Sequence, residues 1–167
     1  MNIKKIENRL NATSLIPMQG LKQDTRVAIV RNKSAYKNEI SKFQQYVKEV
    51  YENLMPEGYK EKAEKFGLCT RNEAELSETE KKELEKLKKD AGYSECMDQY
   101  SKLESDFKVA QNKILEENDY EVSEVQYTDE RLCDIASVLK SGEETEVNGK
   151  KVPNDAIFEY FIEALEL

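Results

Sequence analysis

The chain has 167 residues, of which 36% are charged and 38% are hydrophobic, and it contains no Trp. This length suits one domain, so we predict a single domain over residues 1–167, and the high charge favours a thin helical core over a compact α/β enzyme. The formal net charge is -8, with 26 Asp and Glu against 13 Lys and Arg after residue 65, and this excess argues against direct nucleic-acid binding by the whole chain.

The first predicted elements are short. Residues 1–16 carry apolar side chains at irregular intervals, which predicts a short strand or a turn of helix. Pro17 and Gly20 then interrupt the regular structure. Asp24 follows, at a position where its carboxylate is expected to accept backbone hydrogen bonds and so cap a long helix.

Two long helices are the strongest prediction from the apolar pattern. Over residues 24–54 and again over 93–117, apolar side chains recur every three or four positions and form one stripe. Such a stripe must be buried, and the chain between the helices is long enough to reverse direction. We therefore predict an antiparallel helical hairpin over residues 22–118, with Phe43 and Phe107 deeply buried. Packing of the stripes against a second chain is left open.

A charged segment forms the middle of this hairpin. Residues 59–76 show no clear period and are predicted as a broken helix or a loop. The sequence Ser-Glu-Thr-Glu from Ser77 to Glu80 predicts a capping box, in which each of these two side chains accepts a hydrogen bond from the backbone amide of the other. This capping box is expected to begin a solvated helix rich in Lys and Glu.

Residues 119–167 are predicted to form a small C-terminal subregion. Apolar residues over 120–127 come close to alternation, which indicates a short strand. Thr128 is placed to cap the helix that follows.

The end of the chain predicts a hairpin and a closing helix. Asn148 and Gly149 are typical of a two-residue type I′ turn, because both residues tolerate a positive φ. Asn154 is placed to cap a last helix with a wide apolar face. The predicted fold class is therefore mainly α with a minor β part. It consists of a long antiparallel helical hairpin, a small C-terminal β-hairpin and a closing helix.

The sequence offers little for catalysis or metal binding. It has no His, the commonest proton-transfer residue near neutral pH, and its many carboxylates lie beside lysines at helical spacing, as on a solvated helix face. Cys69, Cys96 and Cys133 lack the spacing of a zinc site and are predicted to be reduced, structural thiols. No phosphate-binding loop or nucleophile motif is present. We therefore expect no enzymatic activity, no cofactor and no metal.

Two groups of charged residues are candidates for binding a partner. The basic group falls on one side of the first long helix: Lys22, Arg26, Lys33, Lys37 and Lys48. These residues either pair with acidic residues of the opposite helix or form a stripe that contacts phosphates. The acidic group lies at the predicted β-hairpin: Glu143, Glu144 and Glu146. It belongs to an acidic C-terminal part that either is solvated or presents a binding face.

Two segments resemble a family of small tailed-phage proteins, a domain of unknown function. LIPMQGLKQDTRVAIV, residues 15–30, is similar to the front of that family, and VPNDAIFEYFIEALE, residues 152–166, is similar to its closing segment. The family has Ser-Gly before the final helix, where this chain has Val-Pro-Asn. The resemblance implies a phage-encoded accessory or assembly protein with no known catalytic residues.

These observations lead to one functional expectation and one alternative. We expect a non-enzymatic phage or prophage protein that acts through protein–protein contacts in particle assembly, with a phage structural protein or a host protein as partner. The alternative is an acidic inhibitor that imitates nucleic acid and binds a host defence enzyme. Self-association is left open. The start of the chain lacks the apolar core of a signal peptide and no run could span a membrane, so we expect the host cytoplasm, with the virion as a second location.

Overall fold

The computed structural model describes residues 1–117 and 119–167, with the backbone alone at Leu68 and Glu117. Over these residues the protein has seven α-helices and one two-stranded antiparallel sheet, which confirms the predicted fold class. The elements are α1 (Ile3–Leu15), α2 (Gln23–Leu54), α3 (Tyr59–Phe66), α4 (Glu78–Leu87), α5 (Tyr93–Glu117), α6 (Asp129–Val138), β1 (Glu144–Val147), β2 (Lys150–Pro153) and α7 (Asn154–Leu165). Two short 3-10 turns, Gly67–Thr70 and Glu73–Glu75, lie between α3 and α4.

The chain divides into two compact units. The terminal unit comprises Met1–Gln45 and Leu115–Leu167, and the middle unit comprises Tyr46–Ile114. The divisions fall inside α2 and α5, because the first part of α2 packs with the C-terminal part of the chain.

The main hydrophobic core lies in the terminal unit. α7 presents an apolar face because Ile157, Phe161 and Leu165 recur at intervals of four, and all three are buried. The Phe161 ring meets the Tyr127 ring edge to face, with centroids 5.1 Å apart. The other buried members of this core are Ala12, Ile16, Leu21, Ile29, Ile135 and Leu139. α7 is therefore the element around which this unit is built.

Residues 1–16 are mostly helical, which corrects the predicted strand or single turn. α1 has 13 residues, and the Asn2 side chain caps it by accepting a hydrogen bond from the amide three residues later. Ile3 and Ile6 pack with Tyr36 in a second buried cluster, whereas later residues of α1 join the main core. The buried face of α1 includes the polar residues Arg9 and Thr13, so its apolar stripe is incomplete in the sequence.

The strand predicted over residues 120–127 is wrong. The segment has no regular secondary structure, and within the described residues it pairs with no strand. Instead, the buried Asn32 side chain donates to the Val125 carbonyl at 2.9 Å and accepts from the Val125 amide at 2.7 Å. At the other end, Tyr120 exchanges two hydrogen bonds with the backbone of Met1, at 2.7 and 3.0 Å. Hydrogen bonds to a side chain of α2 and to the N-terminus thus replace a sheet ladder.

One aromatic pair joins the long helices, and the predicted deep burial of Phe43 and Phe107 is wrong. In the middle unit, Tyr51 of α2 and Phe107 of α5 pack edge to face with centroids 4.9 Å apart. In the terminal unit, Phe43 meets Tyr120 edge to face at 6.3 Å. Both phenylalanines are only partly buried.

The predicted helix starts are confirmed in part. The capping box is present, with the Ser77 amide donating to Glu80 Oε2 at 2.8 Å and the Glu80 amide donating to Ser77 Oγ at 3.3 Å. Thr128 precedes α6 as predicted, although its side chain makes no capping hydrogen bond. The capping roles of Asp24 and Asn154 are wrong, because both residues lie inside the first turn of their helices and bind groups elsewhere.

The predicted two-residue turn is confirmed. Asn148 and Gly149 have φ values of 52° and 76°, in the left-handed region. They connect β1 and β2, which pair antiparallel with Val147 opposite Lys150. The backbone twist of a turn with two positive φ values matches the right-handed twist of the strands that it connects.

Replacing Gly149 with valine should lower the free energy of unfolding by about 1 kcal/mol or more, because a β-branched residue resists a positive φ. The space around Gly149 is open, so backbone strain rather than a clash is the expected cause. Gly149→Asn is the matched control, since asparagine tolerates this backbone region. Urea unfolding followed by circular dichroism measures both variants. Equal losses would contradict the assigned cause.

Candidate interaction surfaces

A basic surface with two exposed valines runs along the first half of α2. We call it the basic α2 face, and its members are Lys22, Arg26, Val27, Val30, Lys33 and Lys37. The buried residues of α2 lie on the opposite side: Thr25, Ala28, Ile29, Asn32 and Tyr36. The side chains of Val27 and Val30 are 41% and 56% exposed, and Val30 lies one turn after Arg26. The face therefore combines apolar contact area with positive charge.

The positive charge of the basic α2 face has no carboxylate partner in the part of the chain that the structure describes. The predicted pairing with acids of α5 is therefore not found there. Glu95, one of those acids, instead receives a hydrogen bond from Lys62 at 2.6 Å in the middle unit. Lys48, the last of the predicted basic group, is exposed on α2 in that same unit.

The two acidic residues of α2 between Gln23 and Lys42 are already engaged. Asp24 accepts a hydrogen bond from Arg131 Nε at 2.8 Å, and this bond lowers the pKa of Asp24 below its usual value. Glu39 accepts one from Lys42 at 2.6 Å. Neither carboxylate is thus available to neutralise the basic α2 face.

Two lysines of the face lie one turn apart. Burial lowers the pKa of Lys33, and the charge of Lys37 lowers it further. Like charges at this spacing oppose each other on a helix. An acidic partner placed over them would relieve that repulsion.

The acidic candidates lie together on the β-hairpin. Glu143 is 3.9 Å from Lys140, and Glu144 is 3.8 Å from Lys151, so both have a loosely placed basic neighbour. Glu146 is exposed on β1, opposite Lys151 in the strand register. The structure therefore brings the three acids together, with lysines among them.

The other acids of the closing region do not form one uncompensated cluster. Asp155 accepts hydrogen bonds from the loop before β1. Glu166 accepts one from Lys5 at 2.6 Å and lies near Arg9, and the Lys5 hydrogen bond lowers its pKa. In the described part of the chain, Glu159 and Glu163 have no such partner. The negative surface is therefore interrupted by bonded groups.

Arg9 holds together three parts of the terminal unit, a role that the sequence did not suggest. Its Nη1 donates to both carboxylate oxygens of Glu124, at 2.7 and 2.6 Å. Its other nitrogens donate to the carbonyls of Ala164 and Leu165 at the end of α7, at 3.2 and 3.4 Å. Burial alone would lower the pKa of Arg9, but the hydrogen bond and charge of Glu124 raise it overall. This guanidinium therefore serves as a cap for α7.

Buried hydroxyl groups lie near the ion pair of Arg9 and Glu124. The hydroxyl oxygens of Thr13, Tyr36 and Tyr127 are all buried within the terminal unit. Burial raises the pKa of Tyr36, and the nearby Glu124 carboxylate raises it further. Burial also raises the pKa of Tyr127. Both phenols are thus held neutral.

The raised pKa of Tyr36 predicts a loss of stability at high pH. Above the ordinary tyrosine pKa of about 10, the unfolded chain releases this proton and the folded chain keeps it, so unfolding becomes easier as pH rises. Tyr36→Phe should therefore lose less stability than the wild type between about pH 8 and pH 11. Urea midpoints at both pH values measure this, with Tyr46→Phe as an exposed control. Equal effects of the two substitutions would contradict the assignment.

The cysteine thiols and the possible metal ligands are the remaining groups that could carry chemistry. Burial raises the pKa of the Cys69 and Cys96 thiols, while Cys133 is exposed. Among the described residues, no group of three or more Cys, Asp and Glu is placed to hold a metal ion. None of the described helices is long and apolar enough to cross a membrane.

Sequence reasoning missed the two valines, although their signal was present. Val27 and Val30 lie off the apolar stripe that contains Ile29, and apolar residues off a stripe point to solvent or to a partner. Comparisons with protein-family models, curated proteins and solved structures find no match.

Proposed function

We propose that this protein is not an enzyme and acts by binding another protein through the basic α2 face. The observation that carries this proposal is the pair of exposed valines set among four basic side chains without a carboxylate partner in the described part of the chain. Apolar side chains supply contact area on binding, and the surrounding charges select the partner. The partner surface should be apolar at its centre and acidic around it.

The same features favour a protein over a nucleic acid. A phosphate-binding surface needs basic residues but gains little from exposed valines. Residues 115–167 carry 15 Asp and Glu against 4 Lys and Arg, and they belong to the same unit as the face. A nucleic acid long enough to extend past α2 would be repelled by that charge.

The biological setting of this proposal is taken from the resemblance of residues 15–30 and 152–166 to a phage family. We place the protein in a phage or prophage, as an accessory or structural protein of particle assembly in the host cytoplasm or virion. The partner is then a phage structural protein or a host protein. The support for this setting is the resemblance over residues 15–30 and 152–166.

Imitation of nucleic acid by the acidic hairpin has weaker support. A mimic must project uncompensated charge, whereas Glu143 and Glu144 have basic neighbours and Glu166 is bonded to Lys5. The variant Glu143→Lys/Glu144→Lys/Glu146→Lys separates the two functions. It should leave partner binding within about twofold under our proposal and abolish it under mimicry.

The first test asks whether charge on the face selects the partner. The tagged protein is used to capture partners from infected cells after nuclease treatment, and the captured protein is then purified and titrated against it. Arg26→Glu/Lys37→Glu should weaken the reconstituted complex by about tenfold or more. The control Lys4→Glu/Lys108→Glu makes the same charge change at exposed lysines outside the face.

The second test asks whether the valines are part of the contact. Val30→Asp should weaken the same complex by about tenfold, because it places a charge at the centre of the interface. Val109→Asp, at a valine of α5 that is 68% exposed, is the matched control. Binding that responds equally to the face variants and their controls would overturn the proposal. Loss of all capture after nuclease treatment would show that nucleic acid is the ligand instead.

A further inference from the structure

One edge of the small sheet is open. β1 pairs with β2 on one side only. The turn places Val147 opposite Lys150 as a hydrogen-bonded pair, and the Asn154 amide donates to the Glu143 carbonyl at 2.9 Å. Because hydrogen-bonded residues alternate in an antiparallel pair, Glu144 and Glu146 direct their backbone amides and carbonyls away from β2. In the described part of the chain these groups have no hydrogen-bond partner.

A groove of about 550 Å³ lies along this edge. The end of α1 and the residues after it form one wall, with Ser14, Leu15 and Pro17 among them. The other wall is β1 itself, including Glu146 and Val147. This volume is in the range of sites that hold small ligands, about 300 to 1,000 Å³. The groove thus offers space beside unpaired strand groups.

The chemistry of the groove selects its occupant. Among the described residues that line it, Glu146 is the charged one and none is Lys or Arg. Leu15, Pro17 and Val147 make part of it apolar. An extended peptide that alternates apolar and basic side chains would satisfy both properties, with its backbone paired to β1.

A second copy of this chain does not fit the same edge. Antiparallel pairing of two β1 strands would bring Glu144 and Glu146 of one copy beside the same residues of the other. Like charges across a strand pair are destabilising, and charged edge strands resist self-pairing. The edge is therefore selective for a strand of opposite charge.

We propose that the free edge of β1 binds a short, extended, basic peptide segment of a protein by β-strand addition. This surface lies on the hairpin and prefers positive charge, whereas the basic α2 face prefers negative charge. The two surfaces therefore bind different partners, and failure of one leaves the other intact.

The test uses a short capped peptide in which valine and lysine alternate. Titration followed by nuclear magnetic resonance should shift the amide signals of Glu144 and Glu146 most, because these amides gain partners while those of Thr145 and Val147 already bond to β2. A twin peptide that is N-methylated where it would pair with Glu146 should bind about tenfold more weakly.

Variants separate strand addition from attraction between charges. Glu146→Lys should lose peptide affinity by about tenfold or more, whereas Glu159→Lys on α7 should retain it. Circular dichroism confirms that both variants are folded, and Glu146→Gln serves as a milder change. Equal binding of the N-methylated twin, absence of binding, or amide shifts centred elsewhere would each overturn the proposal. Dimerisation through β1, detected by sedimentation without peptide, would overturn it as well.

Discussion

Replacing Arg9 with methionine should lower the free energy of unfolding by about 3 kcal/mol, because it leaves a partly buried carboxylate without its partner. The side chains of Arg9 and Glu124 are 10% and 24% exposed, and the guanidinium also satisfies two carbonyls at the end of α7. Methionine has a similar shape but cannot donate these bonds. Urea unfolding followed by circular dichroism measures the loss.

The double variant Arg9→Met/Glu124→Leu tests the cause. Removing both charges should restore part of the stability, since the penalty arises from the unpaired carboxylate. Lys5→Met removes the other basic partner of Glu166 at an exposed position and should change stability very little. A loss at Lys5 as large as that at Arg9 would contradict the role given to the buried guanidinium.

Replacing Phe161 with alanine should lower the free energy of unfolding by about 3 to 5 kcal/mol. Its ring is fully buried at the centre of the main core, and it packs edge to face on Tyr127. Alanine would leave a cavity beside Tyr127 in the main core. Thermal and urea unfolding measure this effect, and Phe161→Leu provides a folded variant with a smaller loss if the alanine variant does not fold.

Phe158 is the matched control for Phe161. It lies on the same helix, one turn earlier, but is only partly buried at the border of the core. Phe158→Ala should therefore cost clearly less than Phe161→Ala. Equal costs would mean that α7 does not occupy the core through the face described here.

Prediction from the sequence was most successful where structure depends on residues close in the chain. The capping box from Ser77 to Glu80 and the turn at Asn148 and Gly149 were correct, because each requires only a few neighbouring residues. The apolar face of α7 was also correct, because its period is regular. The alternating pattern at 120–127 failed, because strand formation requires a partner that the pattern does not name.

The candidate surfaces were predicted only in part. The basic residues of α2 were identified from their helical spacing, but their lack of carboxylate partners in the described part depends on where other elements lie. Val27 and Val30 were visible as apolar residues off the stripe, yet only the packed structure shows them exposed. The groove beside β1 depends on the end of α1, which is distant in sequence.

The sequence by itself determined the helical class, the two long helices, the hairpin turn and the closing helix, because periodicity and turn chemistry act over short distances. Only the tertiary structure decided that Arg9 would bind Glu124 and cap α7, and that Asn32 would hold Val125. It also decided which charged side chains of the described residues have an ion-pair partner. Such contacts join residues that are far apart in the chain. They form because a buried polar or charged group costs free energy unless it has a hydrogen-bond or ion-pair partner.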